Sequence, residues 1–173
     1  DLHMLNSAEL GGMHYTMQPT DVGFLLNSIE QKYHVIFEQH AINFYLLNSA
    51  NNTTVNADKT RILQLLDNIL MNAVHYAQCS TISLSANNVN IKGQAYLELI
   101  IEDNGIGVEQ THLSHLFEYL YRVDSSRNRQ EGGSGLGLSI CQHIVKGHNG
   151  EISAEKASIG GLGIVIKLPL LVQ

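Results

Sequence analysis

The sequence predicts an α+β fold, a two-layer sandwich in which helices pack on one face of a mixed, mostly antiparallel sheet. Three observations predict it. Two segments in the first half repeat apolar residues at helical spacing, a later stretch alternates apolar and polar residues around a glycine-containing turn, and helices and strands mix without strict strand-helix-strand alternation. With 173 residues, 44% of them hydrophobic, one domain with a sizeable core is the expectation.

The elements follow in order. DLHMLNSAELGG and the residues up to Met17 resemble the tail of a helix. Val22, Leu25, Leu26, Ile29, Tyr33 and Ile36 then recur at helical spacing behind Asp21, whose short acceptor side chain suits an N-cap. INFYLL reads as a strand and NNTTVNAD as a polar edge. Asp58 opens a second helix carrying Ile62, Leu65, Leu66, Ile69, Leu70, Ala73 and Val74, expected to run to about Tyr76. TISLSANNVNIKGQAYLELIIED reads as a hairpin with one buried face. A short helix over 109–117 comes next, and RVDSSRNRQEGG, polar and without apolar anchors, reads as a mobile loop. Leu138, Cys141, Ile144 and Val145 mark a helix from 136 to about 148, closed by Asn149-Gly150. EISAEKA and GIVIKLPLLV pair as a final hairpin across Gly160 and Gly161.

Composition excludes several classes. A formal charge of −6 without a basic stripe argues against nucleic acid or an anionic membrane as partner. Cys79 and Cys141 lack metal-ligand or paired spacing, which points to a reducing compartment. No apolar run reaches a membrane span, the first residues do not read as a signal peptide, and the missing initiator methionine reads as a piece of something larger. None of the nine histidines forms HExxH, and His112 and His115 read as surface residues.

Four stretches carry the chemistry: DNILMNAVHY, DNGIG, FEYLYR and GGSGLGLSI. Gly133, Gly135 and Gly137 cost stability at the mouth of a helix, roughly 1 kcal/mol each in a helix interior, and a phosphate at free backbone amides is the simplest compensation. Asn68 and Asn72, four apart, share one helix face, and the amide oxygen of Asn72 suits Mg²⁺, which borrows its other ligands from water and phosphates. Read alone, these are equally ordinary surface amides. Asp103 ends a strand just before Gly105 and Gly107, where its carboxylate could accept from an exocyclic amine such as adenine N6; a simple capped turn is the bland alternative. Arg122, with Arg127 or Arg129, could neutralise a γ-phosphate. GSGLGL is neither the dinucleotide fingerprint nor a Walker loop, which would need Gly-Lys-Ser/Thr.

In this order the four stretches resemble the N, first glycine, F and second glycine boxes of the ATP-binding catalytic domain of bacterial sensor histidine kinases, a fold shared with DNA gyrase B, Hsp90 and MutL and known as the Bergerat ATP-binding fold. The resemblance implies residues 1–19 as the end of the second dimerisation helix with its linker, 20–173 as the ATP-binding domain, and an ATP lid over about 119–134. It makes Asn72 the magnesium ligand and Asp103 the acceptor for adenine N6. Gly105, Ile106, Gly107 and Val108 lie along the base, with Tyr76 packed beside it. Tyr121 and Arg122 fall near the nucleotide, Arg122 among the catalytic groups, and Gly133, Ser134, Gly135, Leu136, Gly137 and Leu138 line the phosphate end. Hydrolysing members resemble this chain but carry glutamate where it has Asn68, and an amide cannot take a proton from water, so the γ-phosphate is kept for a histidine.

That histidine, in a Ser-His-Glu-Leu-Arg-like context, is absent, so the implied partners are the kinase's own dimerisation domain and a cognate response regulator. The fragment is expected as a monomer, the full-length protein as a homodimer and the location as the cytoplasmic side of an inner-membrane sensor. The linker and the Gly-Gly turn resemble the envelope-stress and efflux-regulating group of BaeS and AdeS. Departures are His75, where lysine is common at a phosphate contact, Leu120 in place of phenylalanine, and Leu162, where a threonine hydroxyl is lost. These keep two alternatives open, a nucleotide-binding docking module without catalysis and an anti-sigma-type serine kinase.

Overall fold

Two aspartates start the two long helices. In the computed structural model, which describes residues 13–50, 52–123 and 136–170, helix α1 (Val22–Gln39) begins behind Asp21, whose Oδ1 accepts from the Phe24 amide at 2.7 Å. Helix α2 (Lys59–Tyr76) begins behind Asp58, which accepts from the Arg61 amide at 3.1 Å. Each cap satisfies a donor that the first turn leaves free. The predicted apolar positions are the buried ones, except that Phe37 takes the inward place while Ile36 and Val74 are half-buried.

Five strands form the main sheet: β2 (Asn43–Asn48), β4 (Thr81–Ile91), β5 (Gln94–Asp103), β6 (Glu151–Lys156) and β7 (Leu162–Pro169). Their order is β2-β4-β5-β7-β6, and only β2 with β4 runs parallel. The β4–β5 hairpin turns at Lys92-Gly93, both at positive φ (51° and 85°), with Asn90 Oδ1 accepting from the Gly93 amide. Alternate residues face the helices: Ile82, Leu84 and Ala86 from β4, Leu97, Leu99 and Ile101 from β5, and Ile164, Ile166 and Leu168 from β7. They meet Ile62, Leu65, Leu66 and Leu70 of α2 and Ile140, Cys141 and Ile144 of helix α4 (Gly137–Gly147). Each fully buried leucine or isoleucine stabilises the core by about 1.5–3 kcal/mol. On the open face of edge strand β2, Tyr45 and Leu47 are 55% and 59% exposed.

The structure corrects three readings. Residues 13–17 are not helical; they lie extended across the ends of α2 and α4, with the Thr16 amide donating to Asp58 Oδ2 at 2.9 Å. The polar edge is strand β3 (Thr54–Ala57), which pairs antiparallel with β1 (Gln18–Asp21) in a separate two-stranded ribbon that the sequence did not announce. Helix α3 spans only Gln110–Leu113, because the chain then continues in turns that close three residues back: His115 N to His112 O, Glu118 N to His115 O and Tyr121 N to Glu118 O. The expected Asn149-Gly150 cap closes α4, with Asn149 in the left-handed conformation (φ 55°) and the Gly150 amide donating to Val145 O at 2.9 Å. Gly150 also serves packing, since a Cβ there would lie 2.5 Å from Lys167 O. The loop expected at 122–133 lies outside the described residues beyond 123.

Candidate nucleotide site

The C-terminal end of α2, the end of β5 and the start of α4 meet at one side of the sandwich. Asn68 and Asn72, one turn apart on α2, face the first residue of α4: Asn68 Nδ2 donates to Gly137 O at 3.2 Å, and a Cβ on Gly137 would stand 3.9 Å from Asn72 Nδ2 and 4.0 Å from its Oδ1. Among the described residues the Asn72 carboxamide has no hydrogen bond, so its oxygen is available. The two asparagines thus divide the work: Asn68 fixes where α4 begins, and Asn72 faces the space beside that start.

Asp103 is the second anchor. It is buried at the end of β5, 4% exposed. Its Oδ1 accepts from the Gly105 amide at 2.8 Å and from the Leu162 amide at 3.3 Å, and its carbonyl accepts from Gly161 at 3.0 Å. No described residue bonds Oδ2. Burial pushes the carboxyl above the usual carboxylate range, with the Gly105 and Leu162 amides opposing that shift. Gly160 supplies the turn conformation (φ 113°), whereas Gly161 supplies space, since a Cβ there would lie 2.0 Å from Asp103 Oδ1. Gly105 does the same on the other side: its Cβ would lie 1.9 Å from Ala77 O, which accepts from the Ile106 amide at 2.9 Å. Gly107 is at positive φ (67°). Backbone therefore approaches backbone around this carboxylate.

Beside these residues in sequence, Ile106 is 71% exposed, Tyr76 39% exposed, His75 exposed and Val108 half-buried, with Tyr76 meeting the His75 ring edge-on at 6.2 Å between centroids. Leu136 is buried and Leu138 half-buried at the start of α4. Tyr121 contacts His112, its hydroxyl bonded to Nδ1, and its ring lies 5.5 Å from that of exposed His115. Arg122 is exposed. Leu120 is exposed at φ 60°, so the change from phenylalanine alters no core. Leu162 reaches Asp103 through its main chain, a contact that does not need the missing hydroxyl. Gly133, Ser134 and Gly135, with Arg127 and Arg129, lie outside the described residues.

Sequence reasoning missed Gly161 as a shaping residue, although a second glycine beside one that already makes the turn was the available signal. Asn104 was also missed; its side chain accepts from the Ser80 and Thr81 amides at 3.0 and 2.9 Å and fixes the β4 start.

A buried aspartate packed among glycines, with an asparagine pair on α2 at the start of α4, is the arrangement the sequence predicted for a nucleotide-binding ATPase-like domain. The family described as "Histidine kinase-, DNA gyrase B-, and HSP90-like ATPase" matches residues 57–172, and the chain belongs to it. Among curated relatives, the signal transduction histidine-protein kinase BaeS of Escherichia coli K12 is 34% identical over 171 residues, which is 98% of this chain and 36% of BaeS. The sensor histidine kinase YkoH of Bacillus subtilis is 41% identical over 113 residues, 65% of this chain and 24% of YkoH. The chain thus spans about a third or less of these relatives. Among solved structures, full-length ShkA in complex with AMPPNP superposes with a TM-score of 0.79 at 23% identity, covering 98% of this chain and 35% of ShkA. Acinetobacter baumannii histidine kinase AdeS gives 0.73 at 19%, covering 99% and 76%. These two establish the fold, which is the predicted one.

Proposed function

We propose that the chain is the ATP-binding catalytic domain of a sensor histidine kinase. The observation that carries this reading is Asp103: a buried carboxylate whose Oδ1 is held by two backbone amides while no described residue bonds Oδ2, packed beside Gly105 and Gly161, where no side chain fits. An acceptor there selects adenine, which offers an amine at the edge where guanine offers a carbonyl oxygen. Tyr76 and Ile106 would cover the base, and the start of α4 at Gly137 would receive the phosphates through free amides. Asn72, with an unbonded carboxamide, fits a single protein ligand to magnesium. Among the described residues no group of three His, Cys, Asp or Glu could hold a metal, so the remaining ligands would be phosphate and water. Magnesium would supply charge neutralisation at the phosphates.

Asn68 supports transfer rather than hydrolysis. Its amide donates to Gly137 O and cannot serve as a base toward water, so the γ-phosphate is retained for an imidazole that docks in line. The acceptor histidine would lie on the kinase's dimerisation domain, with onward transfer to a response-regulator aspartate. The homodimer and inner-membrane setting belong to this reading of the full-length protein. Among the described residues no helix is long and apolar enough to cross a membrane.

Calorimetric titration with AMPPNP, with and without Mg²⁺, tests the reading, with GTP and Asp103→Asn as controls. Binding that prefers adenine and weakens in the variant supports it; equal response to GTP overturns it. A dimerisation fragment that stays unphosphorylated despite tight nucleotide binding would instead favour a docking module.

A further inference from the structure

Helices α2 and α4 lie antiparallel, and both ends of α4 are joined to α2. At one end Asn68 Nδ2 donates to Gly137 O; at the other the Asp58 amide donates to His148 Nε2 at 2.9 Å. His148 is 3% exposed and its Nδ1 lies 2.7 Å from Ile144 O, so Nδ1 carries the proton and Nε2 is an acceptor. Over this second junction runs the extended segment 13–17. The Tyr15 hydroxyl donates to His143 O at 3.0 Å, and its ring meets His148 edge-on at 5.2 Å. The Thr16 amide donates to the same Asp58 that caps α2. The ring sits in a notch that exists only because residue 147 is glycine: a Cβ there would stand 2.2 Å from Tyr15 Cζ.

We infer that Tyr15 and Thr16 form a latch over Gly147, His148 and Asp58, and that the latch sets the position of α4 and so the grip of its first turn on phosphate. This rests on the nucleotide reading above. The eleven-residue helix is a rigid rod about 16 Å long, with the latch at one end and Gly137 beside Asn72 at the other. A movement of the segment before β1 would reach Asn68 and Asn72 by two routes, along α4 and through the N-cap of α2. Tyr15, Gly147 and His148 are thereby positioning residues, remote from the nucleotide.

Gly147→Ala is the discriminating variant, because it improves helix propensity and keeps Tyr15 while filling the notch. Amide exchange and AMPPNP affinity are measured on the 173-residue chain for Gly147→Ala, Tyr15→Ala and Tyr15→Phe. The latch predicts that the first two speed exchange both at 13–21 and at 137–140 by about tenfold and weaken AMPPNP binding by about fivefold, with Tyr15→Phe between them and wild type. Faster exchange confined to 13–21, with affinity unchanged, overturns it. If the wild-type chain binds no nucleotide, the functional reading fails; exchange at 137–140 then decides separately whether the latch holds α4, and no change there overturns the latch.

Discussion

At residue 161 a single added carbon would lie 2.0 Å from Asp103 Oδ1, so Gly161→Ala must displace either the turn or the carboxylate. The expected result is a loss of about 1–3 kcal/mol in urea unfolding together with at least tenfold weaker nucleotide binding by calorimetry. Asp103 itself couples stability to function. Because burial raises its folded-state pKa, its contribution to stability is fully present below the unfolded value, about 3.9, and is lost as pH rises through the higher folded value. Asp103→Asn carries no charge to bury, so its melting temperature should equal or exceed wild type at pH 7 and lose that advantage near pH 3.5, while adenine selectivity disappears. A variant less stable than wild type only at pH 7 would contradict this assignment. Asn68→Glu should not create an efficient ATPase: a carboxylate has no proton for Gly137 O, so α4 would lose its hold before water gained a base, and a phosphate-release assay should stay near background with weakened AMPPNP binding. The placement of Asn72 on a helix and of Asp103 at a strand end was legible in the sequence because the spacing and neighbours that set it are local. The roles of Gly161 and His148 were not, because each depends on a contact partner more than fifty residues away.

Among elements, the starts of both long helices and the end of α2 were readable to within a residue, because an aspartate cap and apolar spacing lie in or next to the element. Strands β1 and β3 have four residues each and no internal alternation long enough to register; what makes them strands is their pairing with each other. The overlong expectation for α3 has a similar cause: buried Leu113, Leu116 and Phe117 fit a helix and a run of three-residue turns equally well. Of the two caps, Asp58 carries more, since it also receives the Thr16 amide and lends its own amide to His148. Burial pushes its carboxyl up, but the amides of Thr16, Arg61 and Thr60 and the Arg61 charge outweigh this and hold it below the usual range. The sign is therefore opposite to that of Asp103: the stabilisation is present above the unfolded pKa and fades as pH falls through the folded one. Asp58→Ala should cost about 0.5–2 kcal/mol at neutral pH, more than Asp21→Ala, with the difference shrinking in acid melts. Within α4, burial pushes the Cys141 thiol up to about 12. Native-state alkylation should therefore mark half-buried Cys79 well before Cys141, and early labelling of Cys141 would mean that α4 leaves the core.

For the whole molecule, the order β2-β4-β5-β7-β6 puts the strand that comes latest in the chain between two that come earlier. Helices and hairpins close over short separations, but β6 has no sheet to join until β7 has paired with β5, and that pairing alone brings Gly161 and Leu162 to Asp103. During synthesis from the N-terminus, the asparagine pair and the aspartate would leave the ribosome long before Gly161 and Leu162. Up to that moment the nascent chain carries Asn72 and Asp103 without the main chain of residues 161 and 162 that closes on the carboxylate. The domain therefore should not be able to capture nucleotide while incomplete, and ATP should stabilise the finished fold without assisting the early steps that lead to it.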